Sequence, residues 1–499
     1  MRRALRSLTG LLAAALLSFG FGPAMAETAA APKSFTTSHS GIFGGRKVSY
    51  VATLGETILR DTKGVPAASL FAFSYVETSA RANRPVVFIF NGGPGSSSVW
   101  LHLGMAGPRQ VDFDDEVNPP TVPPFALRDN PNALLDVADL VFIDPPGTGY
   151  SRVLPEGRTE DYYGVNQDAR AVAQFISEWL TRNNRWNSPK FIMGESYGAT
   201  RAAALATTLM GGPTSPSGEL GAVTLNGILV VGPSMGGPVG DHLYGANLSA
   251  MAATAWYHMP ERRNGQSLED VVQSARDLAA GPYMRALYMG TALPTAERDD
   301  LLVKLTALTG VSSDVWVANG LRIGLGAYGR ELLKARGLQV GAYDSRYVLP
   351  LKAAGNDPVA DDPAMGQYTP AFVGAMNSYL SNELKVRMTT PYIPIAFTEV
   401  NSKWDYGPGG LRGRNNAVEF AAALRRNPAL RLFIAAGHYD LVTTLGAAEY
   451  GFNQVDLPAE RVVLKAYPSG HMPYLGEESA RALAEDVRAF LRQASQSAP

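Results

Sequence analysis

Two serines in this sequence lie in the spacing Gly-x-Ser-x-Gly, which is typical of a nucleophilic serine. One is Ser196, in GESYG at residues 194–198, and the other is Ser234, in GPSMG at residues 232–236. Such a serine performs acyl transfer, in which its hydroxyl attacks a carbonyl carbon after a base removes the proton. Because glycine fills 51 of the 499 positions, the pattern alone does not choose between the two serines.

The neighbouring residues favour Ser196. A nucleophile elbow is a strand, a tight turn that holds the serine, and a helix. KFIM precedes Gly194 and predicts a strand, whereas ATRAAALATTLM follows Gly198 and is rich in strong helix formers. Ser234 follows a good strand, NGILVV, but Pro233 before it and GGPVG after it oppose a helix. We therefore predict that Ser196 is the nucleophile and that Ser234 lies in a turn.

Asp440 and His471 are the predicted partners of Ser196. A serine hydroxyl needs a base, and the base needs a carboxylate that orients it. In the α/β-hydrolase arrangement the order is serine, acid, histidine, each at the C-terminal end of a strand. Asp440 follows the predicted strand RLFI, and His471 follows the last predicted strand. His438 precedes Asp440 in the same loop, and we predict a structural role for it.

A glycine-rich loop is a candidate source of hydrogen-bond donors for the oxyanion of acyl transfer. One donor is expected from the backbone N–H of Tyr197, the residue after the nucleophile, and the other from a loop after an early strand. VVFIFNGGPGSSSVW follows this rule, because its glycines come directly after a predicted buried strand and ahead of the elbow. By itself GGPG is also compatible with a plain turn.

The patterns around these loops predict an α/β layer fold. RPVVFIFNGG and DLVFIDPPG are continuous apolar runs that end in loop residues, as buried strands of a mainly parallel sheet do. NQDARAVAQFISEWL places its apolar residues on one helical stripe, and GEESARALAEDVRAFL predicts a closing helix. The predicted fold class is therefore α/β, with a mostly parallel central sheet flanked by helices.

The chain divides into four predicted segments. Residues 27–236 and 389–499 alternate strand and helix patterns and are the two parts of the core. Residues 237–388 lose the strand rhythm, and stretches such as SLEDVVQSARDLAAG predict an inserted, mainly helical lid with approximate boundaries. In residues 1–26, three arginines, an apolar run and AMA predict a signal peptide cleaved after Ala26. The expected location is periplasmic or secreted; the alternative is an uncleaved N-terminal anchor.

Composition argues against several other classes of protein. The chain has 44 basic and 45 acidic residues and no basic tract, so we predict no nucleic-acid binding. Outside the signal peptide no run predicts a membrane span. Cysteine is absent, so disulfides are excluded. Without an H-E-x-x-H motif or a cysteine cluster we predict no metal site, and hydrolysis needs no cofactor.

Four motifs, in this order, resemble those of the serine carboxypeptidases. NGGPGSSS is similar to the family's N-G-G-P-G-[CS]-S-S loop, and DPPGTGYS resembles D-x-P-x-G-T-G-[YF]-S. GESYG resembles the family's elbow, in which glutamate precedes the nucleophile, and GHMPY resembles its histidine loop. The resemblance covers roughly residues 85–198 and 430–474 and little of the lid. It implies an α/β-hydrolase fold and removal of C-terminal residues from peptides with a free α-carboxylate.

The resemblance also implies a role for each matching catalytic residue. Ser196 would be the nucleophile, His471 the base, and Asp440 the acid that orients it. The backbone N–H groups of Gly93 and Tyr197 would form the oxyanion hole.

Asn91 and Glu195 are implied by the same resemblance to bind the C-terminal carboxylate of the substrate. An ionised glutamate would repel that carboxylate, so Glu195 is expected to bind it as the neutral acid. Two acids that lie close together raise the pKa of one of them, which predicts stronger binding at mildly acidic pH. Family members often place a second glutamate before Gly-Pro, but this chain has Met105 there, in LGMAGP.

Two further departures concern Ile89, where a tryptophan is common in the family, and Ser96, where many members have cysteine. Together with the absence of disulfides, they fit a bacterial branch of the family. Three functions remain open: a serine carboxypeptidase that acts on peptides, an esterase or acyltransferase that uses the same residues, and a non-catalytic binding protein on this scaffold. The sequence indicates neither the oligomeric state nor the preferred side chains.

Overall fold

The computed structural model describes residues 31–79, 83–113, 117–212, 222–236, 238–353, 355, 357–410 and 413–496. The predicted signal peptide, residues 1–26, lies outside these ranges, and so does residue 237, the predicted first residue of the lid. Within the described ranges, no helix has the length and apolar composition that crossing a membrane requires.

The strands share one large sheet and two small hairpins. In chain order they are β1 (Ser34–Phe43), β2 (Arg46–Arg60), β3 (Pro66–Glu77), β4 (Val86–Phe90), β5 (Arg109–Val111), β6 (Leu127–Asp129), β7 (Asp139–Asp144), β8 (Arg152–Val153), β9 (Lys190–Glu195), β10 (Gly227–Val231), β11 (Leu338–Val340), β12 (Val348–Pro350), β13 (Arg431–Gly437) and β14 (Val462–Tyr467). The sheet has the order β1-β2-β3-β7-β4-β9-β10-β13-β14, and β8 pairs with β3. From β7 to β14 the neighbouring strands are parallel. The predicted α/β fold class is confirmed.

One end of the sheet is antiparallel, which the sequence analysis did not predict. β1, β2 and β3 pair antiparallel, and β3 joins β7 antiparallel. In β2 the buried side chains of Val48, Tyr50, Ala52 and Leu54 alternate with more exposed ones. This period of two is typical of a strand with one covered face. The sequence analysis named no element in this part of the chain, because it relied on continuous apolar runs and not on alternation.

The helices follow the core–insertion–core order. They are α1 (Val99–Leu101), α2 (Val165–Arg182), α3 (Tyr197–Met210), α4 (Asp241–His258), α5 (Leu268–Leu278), α6 (Met284–Met289), α7 (Thr295–Thr309), α8 (Ser313–Ala318), α9 (Leu325–Glu331), α10 (Met365–Asn382), α11 (Phe397–Val400), α12 (Asn416–Arg426), α13 (Leu445–Asn453) and α14 (Glu477–Ser495). Residues 102–106 continue α1 as one π-helical turn. Seven of these helices, α4 to α10, and the β11–β12 hairpin lie within residues 237–388, where the sequence predicts the lid, and α11 and α12 follow before β13.

Apolar side chains cover both faces of the parallel strands. Every residue of β4, β7, β9 and β10 is buried, as expected for strands with helices on both sides. Helices α2, α3 and α12 share a hydrophobic cluster with one face, and α10 and α14 share a cluster with the other. Most of the inserted helices form a cluster of their own, around residues such as Trp316 and Tyr328. The insertion therefore has its own core.

The parallel strands bring the predicted site residues to one edge of the sheet. Asn91 follows β4, Ser196 follows β9, Asp440 lies in the loop after β13, and His471 lies in the loop after β14. Because parallel strands end at the same edge, loops from distant parts of the chain meet there.

Candidate active site

Ser196 occupies a strained turn between β9 and α3. Its backbone has φ 59° and ψ −124°, a conformation that non-glycine residues rarely adopt. A Cβ added at Gly194 would overlap the carbonyl oxygen of Gly198, so glycine is needed where strand and helix meet. This strand, turn and helix have the geometry of a nucleophile elbow.

Ser234 lies in a turn after β10 and supports the elbow with its backbone. Its N–H donates to the carbonyl oxygen of Ser196 at 3.1 Å. Its own carbonyl accepts from Asn416 Nδ2 at 2.7 Å. The next helix, α4, begins only at Asp241. The second Gly-x-Ser-x-Gly pattern therefore has no elbow geometry.

Asp440 and His471 form a buried pair. His471 Nδ1 lies 2.7 Å from Asp440 Oδ2. The backbone N–H groups of Val442 and Thr443 donate to Asp440 Oδ1 at 2.7 and 2.9 Å. Burial alone would raise the pKa of Asp440, but the His471 charge and these hydrogen bonds outweigh it and lower the pKa. The carboxylate is therefore ionised, and it orients the imidazole.

His471 is placed to act as a base. Burial would lower its pKa, but the charge of Asp440, the hydrogen bond to it and the charge of Glu195 outweigh burial and raise the pKa. With the Nδ1 proton directed at Asp440, the free lone pair lies on Nε2. His471 and Ser196 line the same cleft.

Thr443 is a contact of the pair that the sequence analysis missed. Its Oγ1 lies 2.7 Å from Asp440 Oδ2, 3.0 Å from His471 Nδ1 and 2.9 Å from the Gly232 carbonyl oxygen. A hydroxyl three residues after an aspartate is a common local turn partner, and DLVT carries that signal. Thr443 thus ties the acid and the base to the end of β10.

Gly232 packs directly against His471. Its φ is +48°, in the left-handed region. An added Cβ would lie 2.6 Å from the carbonyl oxygen of His471 and 3.0 Å from Nδ1. The GPSMG motif therefore contributes its first glycine to the site rather than its serine.

We expect Gly232→Ala to lower kcat by about 100-fold, because displacement of a base by about 1 Å has an effect of that size. Gly240→Ala is the matched control, since its φ is +61° and an added Cβ would have nothing within 4 Å. Steady-state kinetics and thermal melting of both variants measure the effect. Equal kcat values in the two variants would show that strain alone, and not contact with His471, matters.

The glycine-rich loop lies against the elbow. A Cβ added at Gly92 would lie 2.5 Å from the Tyr197 backbone nitrogen and 2.6 Å from the Glu195 carbonyl oxygen. In the described part of the chain, the N–H groups of Gly93 and Tyr197 donate to no protein acceptor. Both are therefore free to receive an oxyanion.

Arg201 fixes this loop to the elbow helix and was also missed. Its Nε pairs with Asp168 Oδ2 at 2.6 Å, and both side chains are fully buried. Its guanidinium also donates to the carbonyl oxygen of Asn91. A buried charge pair with these hydrogen bonds is costly to break, because removal of one partner leaves the other charge uncompensated.

Asp144, the first residue of DPPGTGYS, holds the other side of the loop. Its Oδ1 accepts from the Ser98 N–H at 2.8 Å, from the Ser98 hydroxyl at 2.7 Å and from Tyr392 at 3.2 Å. Burial raises the pKa of Asp144 to about 6, against these hydrogen bonds. This motif therefore supports the loop rather than taking part in chemistry.

Glu195 and Asn91 lie together in the cleft. Glu195 is buried, and its Oε2 accepts from the Tyr474 hydroxyl at 2.5 Å. Burial raises the pKa of Glu195 to about 7, although the charge of His471, the hydrogen bond from Tyr474 and the nearby Asn91 amide oppose the rise. The sequence predicted that a second nearby acid raises this pKa; burial is the largest cause, and the charge of Asp440 adds to the rise.

The remaining walls of the cleft are mainly apolar. Trp100, Tyr343, Met365, Ile395 and Phe397 are among them. The Trp100 indole donates to Ser96 Oγ at 2.8 Å, which holds it in place. Ile89, at the position where the family often has tryptophan, is fully buried in the core and does not line the cleft.

The insertion also holds the loops of the acid and the base. The Leu441 N–H donates to the Ala342 carbonyl at 2.9 Å, and the His471 N–H donates to the Tyr343 carbonyl at 2.6 Å. The rings of Tyr343 and His471 meet edge to face, with centroids 5.3 Å apart. The insertion is therefore part of the framework that positions His471.

His438 lies apart from this arrangement. Burial lowers its pKa to about 4, so it is neutral. It does not line the cleft, and its Nδ1 has no hydrogen bond within the described residues. Across the same residues, no cluster of histidine and carboxylate side chains could hold a metal ion.

Comparison with known proteins finds similarity to serine hydrolases, the class of enzyme that has this geometry. Residues 61–267 match the family model described as serine carboxypeptidase. Serine carboxypeptidase-like 36 of Arabidopsis thaliana is 27% identical over 179 residues, which are 35% of this chain and 34% of that protein. Serine carboxypeptidase ctsa-3.1 of Caenorhabditis elegans is 29% identical over 153 residues, 29% of this chain and 24% of that protein. The matched part is thus about a quarter to a third of these relatives' length.

A solved structure extends the similarity to the whole fold. The prohormone-processing carboxypeptidase Kex1 of Saccharomyces cerevisiae superposes with a TM-score of 0.53 at 12% identity, over 89% of this chain and 92% of that one. At this identity the likeness concerns the fold. Residues 61–267 are thus similar to the serine carboxypeptidase family, and the chain has an α/β-hydrolase fold.

Proposed function

We propose that this protein is a serine-type carboxypeptidase that removes C-terminal residues from peptides. The observation that carries the proposal is Glu195, a buried carboxylic acid beside Ser196 in the same cleft as His471, whose pKa burial raises to about 7. A general esterase has no need for an acid at this place. A peptide with a free C-terminus supplies the carboxylate that such an acid can bind.

The proposed reaction begins at Ser196. His471 Nε2 takes the hydroxyl proton while Oγ attacks the carbonyl carbon of the last peptide bond, and the carbonyl electrons move to the oxygen. The N–H groups of Gly93 and Tyr197 stabilise this oxyanion. On collapse, the C–N bond breaks and the imidazolium protonates the leaving amine. Water, deprotonated by His471, then cleaves the acyl-enzyme and regenerates Ser196.

The substrate carboxylate is held by Asn91 and Glu195 in this proposal. The neutral acid donates its proton in a hydrogen bond to the carboxylate, and the Asn91 amide adds a second donor. Asn91 Nδ2 is suited to this, because it is buried and lacks a well-formed hydrogen bond in the described part of the chain. The apolar cleft walls suit peptides with apolar side chains next to the cleaved bond.

Glu195→Gln tests the proposal. In the wild-type protein kcat/KM for free-acid peptides should fall by about tenfold per pH unit above the Glu195 pKa of about 7, because the ionised form repels the substrate. The amide of the variant donates at every pH, so this fall should disappear. The same peptides with amidated C-termini should be poor substrates for both proteins.

Release of single C-terminal residues, followed by mass spectrometry, measures these rates. Equal cleavage of free-acid peptides, amidated peptides and simple esters would instead support the alternative, an esterase or acyltransferase that uses the same residues.

Two further parts of the proposal concern origin and location. We infer that residues 1–26 direct export and that the mature chain acts in the periplasm or outside the cell, because their pattern is that of a cleaved signal peptide. The absence of cysteine and the departures at Ile89 and Ser96 support a bacterial branch of the family.

A further inference from the structure

We propose that Tyr474 is a positioning residue, whose hydroxyl fixes which oxygen of Glu195 carries the acid proton and directs that proton into the cleft. The inference deepens the proposed function and rests on it. Tyr474 is the last residue of GHMPY, the motif that contains His471, and the sequence analysis assigned it no role.

The contact is short and enclosed. The Tyr474 hydroxyl lies 2.5 Å from Glu195 Oε2, and both side chains are buried. The ring packs so closely on the turn after α1 that a Cβ added at Gly104 would lie 2.5 Å from it. Tyr474 is therefore held on the side of Glu195 away from the cleft, which it does not line.

The direction of the hydrogen bond determines the position of the proton. Burial raises the pKa of Tyr474 well above its ordinary value, so the hydroxyl keeps its proton and donates it to Oε2. An oxygen that accepts this bond serves as the carbonyl oxygen of a neutral acid. The acid proton is then left on Oε1, which can donate to a substrate carboxylate.

Other groups around Glu195 act on its charge, whereas Tyr474 forms the well-aligned hydrogen bond to one of its oxygens. The charge of His471 and the Asn91 amide favour the ionised form, and the charge of Asp440 opposes it. Tyr343 also faces Glu195 from the insertion. Among the charged groups, His471 is closely coupled to Glu195. The charge of His471 lowers the pKa of Glu195, and the charge of Glu195 raises the pKa of His471.

Tyr474→Phe tests the inference, since it keeps the ring and removes only the hydroxyl. Loss of a donor to the carboxylate should raise the Glu195 pKa by about one pH unit or more. The alkaline fall in kcat/KM for free-acid peptides should move to higher pH by the same amount. The KM of these peptides below the fall should rise while kcat changes less, because the acid proton is then free to occupy either oxygen.

Tyr467→Phe is the matched control. Its hydroxyl donates to Asp486 Oδ2 at 2.8 Å, so the variant also loses a tyrosine–carboxylate hydrogen bond, but away from the cleft. No shift of the alkaline fall is expected. An unshifted fall in Tyr474→Phe, or an equal shift in both variants, would overturn the inference.

A second measurement separates this inference from the proposed function. Infrared difference spectra of the protonated carboxyl band, assigned with Glu195→Gln, report the Glu195 pKa without any substrate. If Tyr474→Phe raises the Glu195 pKa but the protein cleaves no peptide, the proposed function is wrong and the inferred role of Tyr474 stands. If the Glu195 pKa is unchanged in Tyr474→Phe, the inferred role of Tyr474 is wrong, whatever the activity.

Discussion

Ser196→Ala is expected to lower kcat for peptide hydrolysis by about 10⁴-fold to 10⁶-fold, as loss of the nucleophile does in comparable enzymes. The elbow supplies the reason: Ser196 is held at φ 59° between β9 and α3, where its side chain reaches the cleft that His471 also lines. The other hydroxyl side chains that line this cleft in the described part of the chain, Ser96 and Tyr343, lie outside the elbow. Steady-state kinetics, and labelling by a serine-directed phosphonate followed by mass spectrometry, measure the loss.

Ser234→Ala is the matched control, because Ser234 acts through its backbone. Its N–H donates to Ser196 and its carbonyl accepts from Asn416, and alanine keeps both groups. We expect near wild-type kcat and full phosphonate labelling. Loss of activity in Ser234→Ala with retention in Ser196→Ala would reverse the assignment of the nucleophile.

The elbow could be predicted because its signals are local. A strand pattern, a Gly-x-Ser-x-Gly turn and an alanine-rich helix lie within about twenty residues, and the structure has β9, the turn and α3 there. Asp440 and His471 were predicted from less local signals, namely the order of the chain and the loops that follow strands. The structure brings both into contact.

What the sequence analysis missed depends on contacts between distant segments. Arg201 in α3 is an ordinary helix residue by pattern, yet it bonds to Asn91, which lies 110 positions earlier. Tyr474 is close to His471 in sequence, but its partner Glu195 is 279 positions away. Gly232 is the first residue of GPSMG, a motif that was judged only by Ser234. No local sequence pattern predicts such contacts, because they form only when the folded sheet brings the loops together.

The pKa of Glu195 is raised, as the sequence predicts, but its largest cause is burial. A second acid was expected to raise its pKa, and Met105 at the matching position weakened that expectation. Burial gives the same direction and is the largest cause, since the charged form loses its hydration, and the charge of Asp440 adds to it. Because the charge of Glu195 raises the pKa of His471, these two side chains are electrostatically linked.

Asp440→Asn is expected to lower kcat by about 10⁴-fold, the effect of the same change in a comparable Ser-His-Asp site. The carboxylate accepts the His471 Nδ1 proton at 2.7 Å, and this leaves Nε2 unprotonated for Ser196. An amide can present its NH2 group instead, which favours the tautomer with the proton on Nε2. The base is then blocked although the packing is unchanged.

The pH profile separates this mechanism from simple misfolding. The Asp440 charge raises the pKa of His471, so its removal lowers that pKa, and the acidic limb of the residual kcat/KM should move to lower pH. Thr443→Val is a useful comparison, because it removes the hydroxyl 2.7 Å from Asp440 Oδ2 but keeps the charge. A displaced acidic limb in Asp440→Asn alone, with an unchanged melting temperature, is the expected result. Wild-type kcat in Asp440→Asn would mean that the carboxylate does not set the tautomer of His471.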